Sequence, residues 1–140
     1  MDTNTAIKFI EKAIEKTKSR KLRWGILPND FIIKSFPGEE DPNILDLSDS
    51  FQLSREDSYF AKYETSQLLL LVKRHILIPC IPPDNCELSL RIQNDESKFS
   101  VEITNSSYDP AEATALIRLY NLIDKDTSSL TTFIQDFLNS

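Results

Sequence analysis

The stretch Leu88-Ser-Leu-Arg-Ile-Gln-Asn-Asp-Glu-Ser-Lys-Phe-Ser-Val-Glu-Ile-Thr104 decides the fold. Leu88, Leu90 and Ile92 alternate with Ser89, Arg91 and Gln93; beyond Asn94-Asp-Glu-Ser97, Phe99, Val101 and Ile103 alternate with Ser100, Glu102 and Thr104. Successive side chains of a strand point to opposite faces, so each run collects its apolar residues on one side, and the polar link turns the chain back. The segment therefore predicts an antiparallel hairpin with one dry face. A dry face must be covered by another layer, and the flanking sequence supplies it.

Upstream, Leu68 to Val72 is a continuous apolar run of the length of a strand covered on both faces. Phe51-Gln-Leu53 alternates, Tyr59, Phe60, Ala61 and Tyr63 surround Lys62, and Glu64-Thr65-Ser66 is a hairpin connection. Ile76 to Ile81 is a further apolar run, closed by the turn Pro82-Pro83-Asp84-Asn85. Farther upstream, Phe31-Ile32-Ile33 is a candidate strand within an irregular acidic region broken by Pro28, Pro37-Gly38 and Pro42.

The two ends of the chain read as helices. Over residues 4–19, Ile7, Ile10 and Ile14, with Ala6, Phe9 and Ala13, recur at helical spacing, and Thr3 or Asn4 is the expected cap. Trp24 follows as an anchor that pins the helix exit. Asp109-Pro110-Ala111-Glu112 has the order of a capping box, with proline at the first helical position. Ala113, Leu116, Ile117, Tyr120 and Ile123 continue it as one stripe, the polar stretch Asp124–Ser129 breaks it, and Leu130, Phe133, Ile134, Phe137 and Leu138 form a second short helix. The expectation is a single α+β domain over residues 1–140: an N-terminal helix, an antiparallel sheet of about five strands, and two C-terminal helices packed on one face.

Composition narrows the chemistry. The 140 residues include 2 Gly, 1 His and 2 Cys. Gly25 and Gly38 stand too far apart for a glycine-rich phosphate loop, so nucleotide motifs of that kind are excluded and no cofactor is expected. His75, Cys80 and Cys86 lack the close pair spacing of a zinc site, and no metal is expected. There is no apolar run of membrane-spanning length and no signal sequence, which points to the cytoplasm; Cys80 and Cys86 are spaced to bridge a loop, but in that reducing compartment they are expected as free thiols.

The net charge of −6 is unevenly spread. Residues 1–23 hold seven basic and three acidic side chains, whereas residues 30–57 hold two and eight. The acidic balance does not favour nucleic acid, and the one basic run, Lys18, Arg20, Lys21 and Arg23 beside Trp24, also has a plain role opposing the negative end of the helix dipole. Glu39, Glu40, Asp41, Asp46 and Asp49 crowd one region without the order of a calcium loop, and are the expected partner-binding surface.

Any Ser-His or Cys-His mechanism has to use His75, with Cys80 as the nearest thiol. Cys80 lies inside an apolar run, where a buried inert thiol is the ordinary state, and nothing in the sequence supplies an orienting partner.

The set Phe9-Ile-Glu-Lys-Ala-Ile-Glu-Lys-Thr-Lys running to Leu22-Arg-Trp24, the strand Ser58-Tyr-Phe-Ala-Lys-Tyr63, and Arg118-Leu-Tyr-Asn-Leu-Ile123 followed by Phe133-Ile-Gln-Asp-Phe-Leu138 resembles a loose family of small uncharacterised bacterial proteins that accompany phage and mobile-element cargo. The resemblance spans most of the chain through structural motifs, and implies a bacterial or phage cytoplasmic setting without implying an activity. The expectation is a non-enzymatic protein-interaction module, of which an immunity or anti-defence inhibitor is the sharper form, with a protein partner and self-association into a homodimer left open. The alternatives are a small hydrolase or transferase centred on His75, and a weak nucleic-acid binder using residues 16–23.

Overall fold

A computed structural model describes residues 2–35 and 51–139. Helix α1 (Thr3–Lys18) leads into strands β1 (Trp24–Ile26), β2 (Lys34–Ser35), β3 (Phe51–Tyr63), β4 (Ser66–His75), β5 (Cys86–Asn94) and β6 (Phe99–Asn105), and helix α2 (Pro110–Asn139) closes the chain. The fold is α+β, with one sheet in the order β1-β3-β4-β5-β6-β2.

The predicted hairpin of residues 88–104 forms, β5 antiparallel to β6 with Ile92 opposite Val101, but its expected dry face is incomplete, since both of these side chains are exposed. A bulge between Leu90 and Arg91 places Thr104 opposite Leu90 and Glu102 opposite Arg91, leaving Ile103 as the extra residue. Leu88, Leu90 and Ile103 then share a core with Tyr59, Ala61, Leu68, Leu70 and Val72 from β3 and β4. Both helices cover this face, α1 through Ile10, Ala13 and Ile14, α2 through Ala115, Leu116, Leu119, Tyr120 and Ile123.

Four details depart from expectation. The sheet has six strands and is mixed, because β2 runs parallel to β6 through Lys34–Phe99 and Ser35–Ser100. The candidate strand Phe31-Ile32-Ile33 does not form; side chains take its carbonyls instead, Arg55 donating to Phe31 O at 2.7 Å and Gln93 Nε2 to Ile32 O at 2.9 Å. Asp2, rather than Thr3 or Asn4, caps α1, its Oδ1 accepting the Thr5 N–H at 2.8 Å. One helix of 30 residues stands where two were expected. At 1.5 Å per residue it is about 45 Å long, and Ile123 is the last core residue of α2 among the described residues. Ile134, Phe137 and Leu138 are exposed beyond that point.

Only half of the predicted capping box is made. Asp109 Oδ1 accepts the N–H groups of Ala111 and Glu112 at 2.8 and 3.2 Å, as an N-cap should. Glu112 turns inward, and its Oε1 accepts the Thr104 hydroxyl at 2.8 Å in a buried contact tying α2 to β6.

The second face of the hairpin is also covered. Ser89, Arg91, Gln93 and Ser100 are buried, and the segment preceding β2 crosses them, with Ser100 Oγ donating to Lys34 O and Gln93 to Ile32 O. Arg91 Nε donates to Ser100 Oγ at 2.9 Å and its guanidinium stands 3.8 Å from Glu102, which also accepts from Ser89, Asn105 and Tyr108. A smaller apolar cluster of Leu27, Ile33, Leu69 and Leu71 lies on this side.

Between the helices and the sheet, Tyr59 and Tyr120 meet edge to face, ring centroids 5.7 Å apart, and the Tyr59 hydroxyl donates to Asp124 at 3.0 Å. Burial, reinforced by Asp124, raises both phenols, Tyr59 well above its ordinary range and Tyr120 to about 12. The folded chain therefore holds protons that the unfolded chain releases near pH ~10, so the stabilisation is complete below that pH and is lost as pH rises towards about 12. Urea midpoints measured from neutral to strongly alkaline pH should fall beyond pH ~10. Tyr120→Phe should fall less steeply, and an equal slope in both proteins would reject the assignment.

Candidate functional site

The chemistry-bearing residues gather at one end of the sheet, where β3 begins, β4 ends and β5 begins. The antiparallel register sets Arg74 opposite Cys86 and His75 opposite Phe51. Residues 76–85 connect β4 to β5, and within the apolar run Ile76–Ile81 Cys80 is buried while the aliphatic side chains are not. Ile76 and Ile78 are exposed, and Leu77 and Ile81 are 79% and 81% exposed.

His75 explains why the chain leaves the sheet. Its Nδ1 accepts the N–H groups of Leu77 and Ile78, each at 3.1 Å, which peels the backbone away from the strand direction. The ring packs edge-on against Phe51, centroids 5.3 Å apart. At the far end, Asp84 N–H donates to Ile81 O at 2.8 Å, and Asn85 takes a positive φ of 59° that re-enters the strand. In the middle, Arg74 Nη2 donates to Cys80 O at 2.5 Å. The loop is thus fastened at three points while its aliphatic side chains face outward.

Beneath it lies a thiol pair. Cys80 is buried, Cys86 is half-buried, both are free, and their sulfurs are 2.9 Å apart. Arg74 Nε reaches Cys80 Sγ at 3.5 Å, and Asp57 stands 3.5 Å from the other side of the same guanidinium. Asp57 comes from an irregularity in β3, where residues 55–58 stand between the pairs Ser54–Val72 and Tyr59–Leu70. Ser58 holds that bulge by donating to Ser54 O at 2.7 Å and accepting the Val72 N–H at 2.9 Å.

Burial alone would push the Cys80 thiol up, but hydrogen bonds from the Cys86 thiol, Arg74 and the His75 backbone N–H outweigh it and hold Cys80 below the ordinary thiol value. Burial, with the hydrogen bond to Cys80 and the charge there, pushes Cys86 up to about 12. The two cysteines are therefore unlike: Cys80 is held below the ordinary thiol value, and Cys86 is pushed above it and donates to Cys80.

The His75 imidazole is engaged with the loop backbone and with Phe51. A base aimed at the thiol is not what this arrangement supplies. Cys86 was paired with Cys80 in the sequence, whereas Arg74 and Asp57 were not, because the β4–β5 register and the β3 bulge place them there. The acidic residues Glu39, Glu40, Asp41, Asp46 and Asp49 lie outside the described residues.

Lys18, Arg20, Lys21 and Arg23 are all exposed, following α1. Trp24 is half-buried, and its indole N–H donates to Thr17 Oγ1 at 2.9 Å, pinning the helix exit. Two hollows flank the apolar loop: one of about 630 Å³ bordered by Phe51, His75, Ile78, Glu87 and Ser107, and one of about 380 Å³ bordered by Gln52, Arg55, Arg74 and Ile76. Among the described residues, no group of three or more His, Cys, Asp or Glu side chains is placed to hold a metal ion, and no helix is long and apolar enough to cross a membrane.

Comparison with protein-family models, with curated proteins and with solved structures finds no match to this chain. The functional reading rests on its own residues.

Proposed function

We propose that the chain is a non-enzymatic protein-binding module whose contact surface is the β4–β5 loop and the hollow beside it. The observation that carries this reading is the outward display of Ile76, Leu77, Ile78 and Ile81 on a loop fastened by His75, Arg74 and Asp84. Aliphatic side chains exposed together on a restrained loop cost solvation in the free protein and recover it when a partner covers them. Restraint also lowers the ordering entropy spent on binding.

The surroundings select the partner's chemistry. Asp84 and Glu87 edge the loop and hollow, and the whole chain carries −6. A protein presenting an apolar segment flanked by Lys or Arg is complementary to that surface, and opposite charge speeds the encounter. An inhibitor of the immunity or anti-defence type would work in this way, occluding a basic functional surface on its target.

Short synthetic peptides test it directly, one alternating Leu with Lys, one Leu with Asp, one Ser with Lys, titrated by fluorescence anisotropy. The Leu/Lys peptide should bind about tenfold tighter than either control, and Leu77→Asp with Ile81→Asp should remove that advantage. Equal binding of the Leu/Asp peptide, or unchanged binding by the double variant, would overturn the proposal. The same titration with Glu39, Glu40 and Asp41 replaced by Ala reads the acidic segment, and unchanged affinity takes those side chains out of the interface.

A second reading has one observation in its favour. Lys18, Arg20, Lys21 and Arg23 make no ion pair among the described residues, so four cations face solvent together. Nucleic acid is the phosphate polymer such a run would take, with an affinity that rises steeply as salt falls. The half-buried Trp24, its N–H already engaged, adds no stacking platform. A gel shift absent even at low salt removes this reading.

A further inference from the structure

We propose that Cys80 and Cys86 form a peroxide-oxidisable dithiol, in which Cys80 is the reacting sulfur and Cys86 the resolving one, giving an intramolecular disulfide. The inference stands apart from the partner-binding reading, since it uses the sulfurs beneath the loop and not the side chains above it.

Three observations converge on it. The sulfurs are 2.9 Å apart with both thiols free, so the pair is already in contact. Arg74 is held on two sides, by Asp57 at 3.5 Å and by Cys80 O at 2.5 Å, which fixes its positive charge against the Cys80 sulfur. A cation and a neighbouring S–H donor favour a thiolate, the form of sulfur that attacks. Access then sets the class of oxidant: Cys80 is only 6% exposed, which suits a molecule as small as hydrogen peroxide and not a protein disulfide. The same guanidinium works against a metal cation at this place, and no third ligand joins the pair among the described residues.

The steps balance. The Cys80 thiolate attacks one oxygen of hydrogen peroxide, the O–O bond breaks, and a sulfenic acid forms on Cys80 with hydroxide leaving, which takes a proton to become water. The Cys86 sulfur then attacks the Cys80 sulfur, its proton goes to the departing hydroxyl, and a second water leaves as the S–S bond closes. Two thiols have lost two electrons and two protons, and one peroxide has become two waters.

The test is a time course of the reduced, folded wild-type protein with hydrogen peroxide, read by thiol titration and intact mass, against the same chain in denaturant. The folded protein should lose both thiols and two hydrogens, at a rate about tenfold or more above that of the unfolded chain. Cys86→Ser should stop at a sulfenic acid that dimedone captures on Cys80, while Cys80→Ser should leave Cys86 unreacted at the same dose. Arg74→Gln should slow the folded reaction towards the unfolded rate. If the folded wild-type protein reacts no faster than the unfolded chain, or if dimedone labels Cys86 in preference to Cys80, the proposal fails.

Discussion

Leu70→Ala lowers the unfolding free energy by about 3–5 kcal/mol, the upper part of the range for leucine truncation in a packed core. Leu70 is fully buried at the centre of β4, paired with Tyr59 on one side and Leu90 on the other. It belongs to the same cluster as Ile10 and Ile14 of α1 and Leu116 and Leu119 of α2, so the missing methyl groups leave a void that neither helix can fill without losing its other contacts. Against a total stability of about 5–15 kcal/mol for an ordinary domain, that loss takes at least about a fifth of the margin. Leu77→Ala is the control: the side chain is 79% exposed and its truncation should move stability by no more than about 0.5 kcal/mol. Urea denaturation with a common slope for the three proteins checks both values. A cost below ~1 kcal/mol at Leu70 would mean that the two helices do not share the sheet face described above.

The contrast between Leu70 and Leu77 shows where sequence reading succeeds and where it stops. Leu68–Val72 and Ile76–Ile81 are both apolar runs, and composition alone reads both as burial. The first is buried throughout; the second, apart from buried Cys80, is turned out of the sheet by a single imidazole acceptor and held there by Arg74. No pattern of hydrophobicity carries that information, because it depends on which side chain meets which backbone N–H. The hairpin of 88–104, helix α1 and the Asp109 cap were legible because each follows from short-range periodicity or capping chemistry. Strand β2 was not, since Lys34 and Ser35 join the sheet through backbone pairing with Phe99 and Ser100 and have no alternation of their own. The unbroken α2 was hidden by the polar stretch Asp124–Ser129, whose helix propensities differ from better formers by only about 0.3–0.7 kcal/mol per residue. Polar residues there do not stop a helix that packs firmly from Ala115 to Ile123. The spacing of Cys80 and Cys86 was visible, whereas their neighbour Arg74 is supplied by the β4–β5 register, which only strand pairing reveals.

The polar side of the hairpin yields the second large effect, since Arg91 reads in sequence as the solvated half of an alternating strand and is buried in the structure. Its side chain is 5% exposed, with Nε donating to Ser100 Oγ, Nη2 to Ser100 O at 3.2 Å, and the guanidinium facing Glu102. Arg91→Ala strips the charge opposite Glu102 while leaving that carboxylate enclosed by Ser89, Asn105 and Tyr108, and it opens a void as long as the arginine stem. Removing one member of a fully buried pair costs about 3–5 kcal/mol because the other is left uncompensated, and the 21% exposure of the Glu102 side chain puts the cost here at the lower end of that range. Arg91→Met keeps most of the stem volume and separates the charge from the packing, so it should recover part of that loss. Combining Arg91→Met with Glu102→Gln should cost less than the sum of the two single changes, because the double variant no longer encloses a lone carboxylate. A double-mutant cycle by urea denaturation measures the difference directly. Strict additivity would show that Arg91 and Glu102 are neighbours without coupling, and would move the source of Arg91's burial to its bonds with Ser100 and the strand it anchors.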